Sequence, residues 1–327
     1  MKTLLINYKT EFTDQLLDLL WRQWTTLGVA GQVLPCEQAV IDPEALLLIS
    51  CTVGRQDPRL FDAILDWLKI NGRYLNVQRL RRMLKNYPFA GEAVYSAVAA
   101  TTSTTAHAVK WARSARLSSH LAQTAAPLFF MPAGKPLPIM REPDPVFFKY
   151  GFLRDQYTPC GAAQLFRTNT SANLVLRLRA LLGVNARCEL LVYLLLNGHG
   201  SPRAVARACG YYPATVTKAL AEMGDSGYVV SRVDGRHRHY TLTPDSWQAL
   251  LIGKKRPLWI TWAPLFSALE ETWLFLNASD RIEQTPLAQA SALRRILKAS
   301  IMDNLAASGL PITFGDDKPY TGESLIP

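Results

Sequence analysis

Residues 183–243 read GVNARCELLVYLLLNGHGSPRAVARACGYYPATVTKALAEMGDSGYVVSRVDGRHRHYTLT, and the order of local signals in that stretch decides the fold. Asn185 to Leu196 is an apolar helix, too short to cross a membrane, and Gly198 and Gly200 stop it. Ser201-Pro202 places an N-cap before a proline at the first helical position, where a missing N–H costs nothing. The helix PRAVARA follows, with Val205 and Ala208 facing inward. Cys209-Gly210-Tyr211-Tyr212 forms a turn, Gly210 supplying the left-handed conformation a helix stop needs. Pro213 restarts the chain as PATVTKALAEM, in which Val216, Ala219, Leu220 and Met223 share one face. The opposite face carries Thr215, Thr217 and Lys218, with Tyr211, Tyr212 and Ala214 at its leading end. Small polar residues and a lysine suit a surface that approaches base edges and phosphates closely.

Asp234-Gly235 then separates VVSRV from RHRHYTL. An Asp-Gly pair between alternating runs signals a hairpin, because a type I′ turn needs positive φ at both central residues. Pairing across that turn sets Val233 opposite Arg236, Arg232 opposite His237 and Val229 opposite Tyr240. The base of the hairpin is then apolar and its tip cationic. A basic hairpin beside a helix-turn-helix is a wing, fit for a phosphate or a minor groove. The segment SPRAVARACGYYPATVTKALAEMGDSGYVVSRVDGRHRHYTL resembles the winged-helix regulators of the ArsR/MarR type. The resemblance implies a DNA-binding transcriptional regulator. It is specific for the module alone, and metal sensing is not carried over, since Cys188 and Cys209 are single cysteines. The expected DNA-binding residues are Ser201, Arg203, Tyr211, Tyr212, Ala214, Thr215, Thr217, Lys218, Arg232, Arg236, His237 and Arg238. Double-stranded DNA is the expected partner and a homodimer the expected state, since two copies double the groove contacts and set the half-site spacing.

Net charge sharpens this reading once it is divided along the chain. The whole sequence carries +10. Residues 69–116 hold 9 basic side chains against 1 acidic, and residues 177–243 hold 9 against 4. The charge thus sits in two blocks, one of them the winged helix, which points to a polyanionic partner. The apolar fraction of 49% excludes a largely disordered chain. No run reads as a membrane span or a signal peptide. Five scattered cysteines form no CxxC pair, so the chain reads as reduced and cytoplasmic.

The fold class expected is mainly α. It comprises a helical N-terminal domain with the basic block over 1–125, a Pro/aromatic-rich connector over 126–160, the winged helix-turn-helix with its leading helix over 161–245, and a helical C-terminal region with an extended tail over 246–327. An amphipathic helix spans 11–28. Asp42-Pro43-Glu44 opens a core helix that is apolar all round, its first-turn acid complementing the dipole. Asp57-Pro58 opens a second helix, burying Leu60, Phe61, Ile64, Leu65 and Leu68. Asn76 caps VQRLRRMLKNY, where Val77, Leu80, Met83 and Leu84 face inward and Arg79, Arg81, Arg82 and Lys85 face mostly outward. Those four form a possible second basic surface, either a second DNA-reading helix or the solvated edge of a bundle. Seven prolines between 127 and 159 impose extended chain, yet its aromatic load implies packing across a domain surface. Residues 161–182 return to helix, with Leu174, Leu178, Leu181 and Leu182 as an apolar stripe suited to a dimer contact. After the wing, SWQALLIG is a helix, and Trp259, Trp262, Phe266, Leu269, Trp273 and Leu276 recur at helical spacing. A last long helix runs from Thr285-Pro286 to Gly309.

Known catalytic and phosphate-loop motifs are missing, so no catalytic residue, cofactor or metal is expected. His237 and His239 alternate on one strand face but sit among arginines, where phosphate contact explains them better than metal ligation. Acidic pairs in the N-terminal part fall at helix starts, where capping accounts for them. A second class of function stays open. Winged helices with large helical flanks also serve as antitoxin-like or adaptor proteins that bind a protein partner, and an RNA-handling role for the 69–116 block is a third.

Overall fold

The computed structural model describes residues 2–104, 108–117, 124–131, 135–235, 237–243, 247–251, 256–278 and 286–310. It is mainly helical with two small sheets. Each early helix starts where a side-chain oxygen meets orphan backbone donors. Helix α1 runs Lys2–Leu27, longer than its amphipathic core suggests. Asp42 accepts from the Glu44 and Ala45 N–H groups at the head of α2 (Pro43–Ser50), and every residue of α2 is buried. Asp57 does the same for α3 (Pro58–Asn71), and Asn76 caps α4 (Val77–Asn86). Helices α5 (Glu92–Thr102) and α6 (Ala108–Ala112) follow.

These helices enclose a first core built around two tryptophans. Trp24 and Trp67 meet edge to face at 5.2 Å. Their indole N–H groups donate to Ser50 Oγ and the Leu27 carbonyl, so large apolar area is buried with no donor left over. The Pro/aromatic stretch adds Phe129, Phe147 and Tyr150 to this core. It also holds a parallel pair, β1 (Ala126–Pro127) with β2 (Phe152–Leu153), and the short helix α7 (Pro145–Lys149). Trp262, Phe266 and Trp273 come from far along the chain, on α12 (Trp262–Asn277). Trp262 Nε1 donates to the Val40 carbonyl at 2.7 Å.

A second core lies within residues 174–242, with Val40 added from outside. Its elements are α8 (Leu174–Leu182), α9 (Ala186–Asn197), β3 (His199–Gly200), α10 (Pro202–Cys209), α11 (Pro213–Asp225), β4 (Val229–Asp234) and β5 (His237–Leu242). Asn185 caps α9 and Ser201 caps α10, while Gly210 takes φ +73° to end it. On α11 the buried side chains are Val216, Ala219, Leu220 and Met223. The strands form one antiparallel sheet in the order β3-β5-β4.

Several expectations fail for identifiable reasons. The hairpin register is displaced by two residues: Asp234 pairs with His237, Val233 with Arg238 and Val229 with Leu242. The turn is therefore shifted one step later in the chain, with Gly235 taking the positive φ of its first central position. A slip of two keeps each side chain on its face, so Val229 and Tyr240 are still buried. In α10 the buried residues are Val205, Ala206 and Cys209, and Ala208 is half-buried. Residues 164–170 are not helical, because two asparagines claim that backbone. Asn71 bonds the Gln164 carbonyl and the Phe166 N–H, and Asn173 bonds the Arg167 carbonyl. Helix α12 begins at 262, not before, since Leu258 pairs with Gln38 and Val40 in extended conformation. The described part of SWQALLIG, residues 247–251, holds a single turn, Gln248–Leu250, with Trp247 packed edge-on to Tyr228. The last helix is interrupted by a π turn at Leu297–Ile301, and Thr285 lies outside the described residues.

Candidate nucleic-acid interface

The two cores meet over a cluster of buried charges. Arg79 turns inward from α4, opposite to expectation, and is 4% exposed. Its Nη1 donates to Glu44 Oε2 and Asp42 Oδ1 at 2.7 Å each, and its Nε donates to the Cys209 carbonyl at 2.8 Å. Arg179, from α8, donates Nη1 to Glu44 Oε1 at 2.6 Å and Nε to Glu189 Oε1 at 2.8 Å. The Tyr211 hydroxyl donates to Glu189 Oε2 at 3.1 Å and accepts from Asn76 Nδ2 at 3.0 Å. Glu44 is thus more than a dipole complement: fully buried, it joins a guanidinium from each core. Burial alone would raise the Asp42 carboxyl, but the adjacent Arg79 overrides it and holds the group below its ordinary value. Burial alone would lower both guanidiniums, but Asp42 and Glu44 beside Arg79, and Glu189 and Glu44 beside Arg179, hold them well above their ordinary value.

Above this cluster opens a groove of about 630 Å³. Helix α4 gives it Arg81 and Arg82, α6 gives it Lys110, and the turn after α6 gives it Arg113. The start of α9 contributes Asn185, the turn into α11 contributes Tyr211 and Tyr212, and α11 itself contributes Thr215. Among the described residues no aspartate or glutamate lines it. The Arg82 guanidinium lies 3.4 Å over the centre of the Tyr212 ring. Burial lowers the pKa of Arg82, and the tyrosines beside it counter that only in part. Lys110 donates to the Leu75 carbonyl at 2.9 Å, and burial brings its pKa down to about 8. Arg81 Nε and Arg82 Nε and Nη1 are enclosed without a hydrogen-bond partner among the described residues. A smaller groove of about 250 Å³ lies on the other side of Arg82, lined by Arg203, Arg207 and Pro213 among others.

The expected site residues separate into distinct environments. Ser201 is occupied as a cap, accepting from Ala204 N–H. Tyr211 is committed to the seam between the cores rather than to an outward surface. Tyr212, Ala214, Thr215, Thr217 and Lys218 are exposed on α11, and Arg203 is exposed on α10. The Thr217 hydroxyl donates to the Pro213 carbonyl, and Lys218 Nζ stands 3.9 Å from Glu222. Arg232 and Arg238 are exposed on the hairpin. They leave opposite faces, because Arg232 pairs with His239 and Arg238 with Val233. Arg236 and the side chain of His237 lie outside the described residues. Of the second basic surface, Lys85 is exposed, Arg81 and Arg82 are half-buried, and Arg79 belongs to the interior.

Sequence reasoning missed Arg113, Lys110, Arg207 and the Arg79–Arg179 cluster. The two basic blocks gave the signal for the first three, but their adjacency in space is a tertiary fact. Among the described residues no group of three or more metal-ligating side chains occurs, and no helix is long and apolar enough to cross a membrane. Comparison with known proteins returned no matching family model, curated protein or solved structure.

Proposed function

We propose that the chain is a DNA-binding transcriptional regulator that reads duplex DNA through a winged helix-turn-helix, with α11 as the recognition helix and β4–β5 as the wing. One observation carries this reading: α11 buries a complete apolar face and presents Ala214, Thr215, Thr217 and Lys218 to solvent. Such a face is small enough to approach base edges and carries a donor for them. The order helix, short strand, helix, helix, hairpin, with β3 joined to β5, supports the same reading.

The test is fluorescence anisotropy on the gene's own upstream duplex and on a scrambled one across a salt series. Thr215→Ala and Lys218→Ala are expected to narrow the difference between the two duplexes by about 1–3 kcal/mol per lost base contact, and to change affinity for the scrambled duplex less. Equal losses on both duplexes would remove α11 from base reading.

We further propose that the regulator acts as a homodimer. Leu181, Leu182 and Val184 are 71%, 44% and 37% exposed, an apolar surface beside the proposed reading unit. The same surface favours the adaptor reading, in which a different protein covers it. Light scattering of the purified chain separates the two: a stable dimer supports the first, and a monomer that co-purifies with one protein neighbour and ignores DNA supports the second.

A further inference from the structure

We infer that the two grooves form a single cationic track across the leading end of α11, and that the track holds the phosphate backbone of the bound duplex. This inference rests on the DNA-binding reading above and extends it to the N-terminal helices. Arg82 borders both grooves, with Arg81 and Arg113 along the larger and Arg203 and Arg207 along the smaller. Among the described residues no carboxylate lines either groove. Among the described residues none of these five arginines has an acidic side chain within ion-pair distance, whereas Arg187 and Lys218 nearby both reach Glu222.

Unsatisfied donors give the track a second, independent mark. Enclosed N–H groups without acceptors are rare in folded proteins, and each costs desolvation free energy unless something supplies an acceptor. Arg81 and Arg82 hold three such nitrogens at the groove. Phosphate oxygens are suitable acceptors, and guanidinium binds them well. The larger groove also receives residues from the starts of α4, α9 and α11, three helices of 10, 12 and 13 residues. Their positive ends add to the field that an anion meets there.

The layout favours a polymer over a small anion. A mononucleotide placed in the larger groove leaves Arg203 and Arg207 without counter-charge, whereas a strand of repeating phosphates crosses both grooves. Duplex DNA is favoured because Tyr212 and Thr215 of α11 line the larger groove. A backbone lying in it therefore passes beside the helix proposed to face the bases. On this account α4 and α6 form part of the interface, which gives Arg81, Arg82, Lys110 and Arg113 of the basic 69–116 block a common role.

The experiment uses the full chain with Arg113→Glu and Arg207→Glu as separate variants, one per groove, both at exposed side chains. Anisotropy is followed on the upstream and the scrambled duplex over a salt series. Each variant is expected to lose about tenfold or more in affinity on both duplexes at low salt, with the salt slope reduced by about one per lost phosphate contact. Binding by both variants that matches the wild type overturns the track while leaving the α11 reading intact. Loss by the variants in a wild type that does not discriminate between the duplexes keeps the track and overturns sequence-specific reading. A wild type that binds neither duplex overturns both. Displacement of the duplex by micromolar ATP or inorganic phosphate assigns the grooves to a free phosphate ligand, and better competition by structured RNA at matched salt assigns them to RNA. Either result overturns the duplex assignment.

Discussion

Two regions of the molecule lie on either side of helix α4, and the same residue type has opposite fates in them. Below the helix, Arg79 is buried against Asp42 and Glu44, and Arg179 completes the cluster from the other core. Above it, Arg81 and Arg82 line an open groove with no carboxylate among the described residues. The seam has three carboxylates for two guanidiniums, so its positive charge is used up internally. The groove has cations and enclosed donors without acceptors, so its charge is available to a ligand. A count of basic residues cannot separate these roles; partners and burial do.

The largest expected effect tests the seam. Arg179→Met removes the only guanidinium that touches both Glu44 and Glu189 among the described residues. Two carboxylates then stay buried with less compensation, and breaking a buried pair from one side costs about 3–5 kcal/mol. Urea unfolding with an unchanged m-value is the measurement. A loss below about 1 kcal/mol, the range of an exposed pair, would show that the cluster is wetter and weaker than its geometry implies.

A smaller effect comes from a buried carboxyl that lacks a guanidinium. Glu270 on α12 is 1% exposed, and its Oε2 accepts from the Ala90 N–H at 3.1 Å. Burial is the main cause of a pKa raised to about 7, and the Thr52 hydroxyl and the Ala90 N–H beside the carboxyl offset it only in part. Because the folded value is above the ordinary 4.5, the native state holds a proton that the unfolded chain releases in this window. The contribution to stability is complete below pH 4.5 and is lost as pH rises towards about 7, at up to about 1.4 kcal/mol per pH unit. Asp42 has the opposite sign: its lowered pKa gives stability above its ordinary 3.8 that is lost on acidification. Glu270→Gln should therefore flatten the neutral side of the stability profile and leave the acid side alone. An unchanged slope between pH 5 and 7, within about 0.3 kcal/mol per unit, would mean that Glu270 does not stay buried in solution.

How far the sequence carried this picture depends on what each feature needed. Helix starts at Asp42, Asp57, Asn76 and Ser201 were legible because a cap and its helix are neighbours in the chain. The inward face of α11 was legible because period alone sets it. Arg79 was not. A helix advances about 100° per residue, which places Arg79 beside Met83 and Arg81 beside Val77, both flanking the apolar stripe. Their phase is equivalent, and the choice between them is made by Asp42 and Glu44 on another helix. The groove was hidden for the same reason: its walls come from 75–82, 109–113, 184–186 and 210–215. The hairpin register failed more locally, since Asp-Gly also allows a turn one step later with Gly235 in its first central position.

The smallest stability effect belongs to the other face of α4, and it tests the comparison directly. Arg79→Ala strips the seam of one guanidinium and should cost several kcal/mol, as Arg179→Met does. Arg81→Ala, two residues along, removes no ion pair among the described residues. It deletes an enclosed Nε that has no acceptor, which relieves rather than creates an unsatisfied group. Alanine is also the best helix former. Stability should stay within about 0.5 kcal/mol of the wild type or rise by up to about 1 kcal/mol, while affinity for both duplexes falls. Thermal unfolding and anisotropy on the same preparation decide it. If Arg81→Ala unfolds as readily as Arg79→Ala, the arginines above and below α4 do the same structural work, and the groove owes its charge to the fold rather than to a partner.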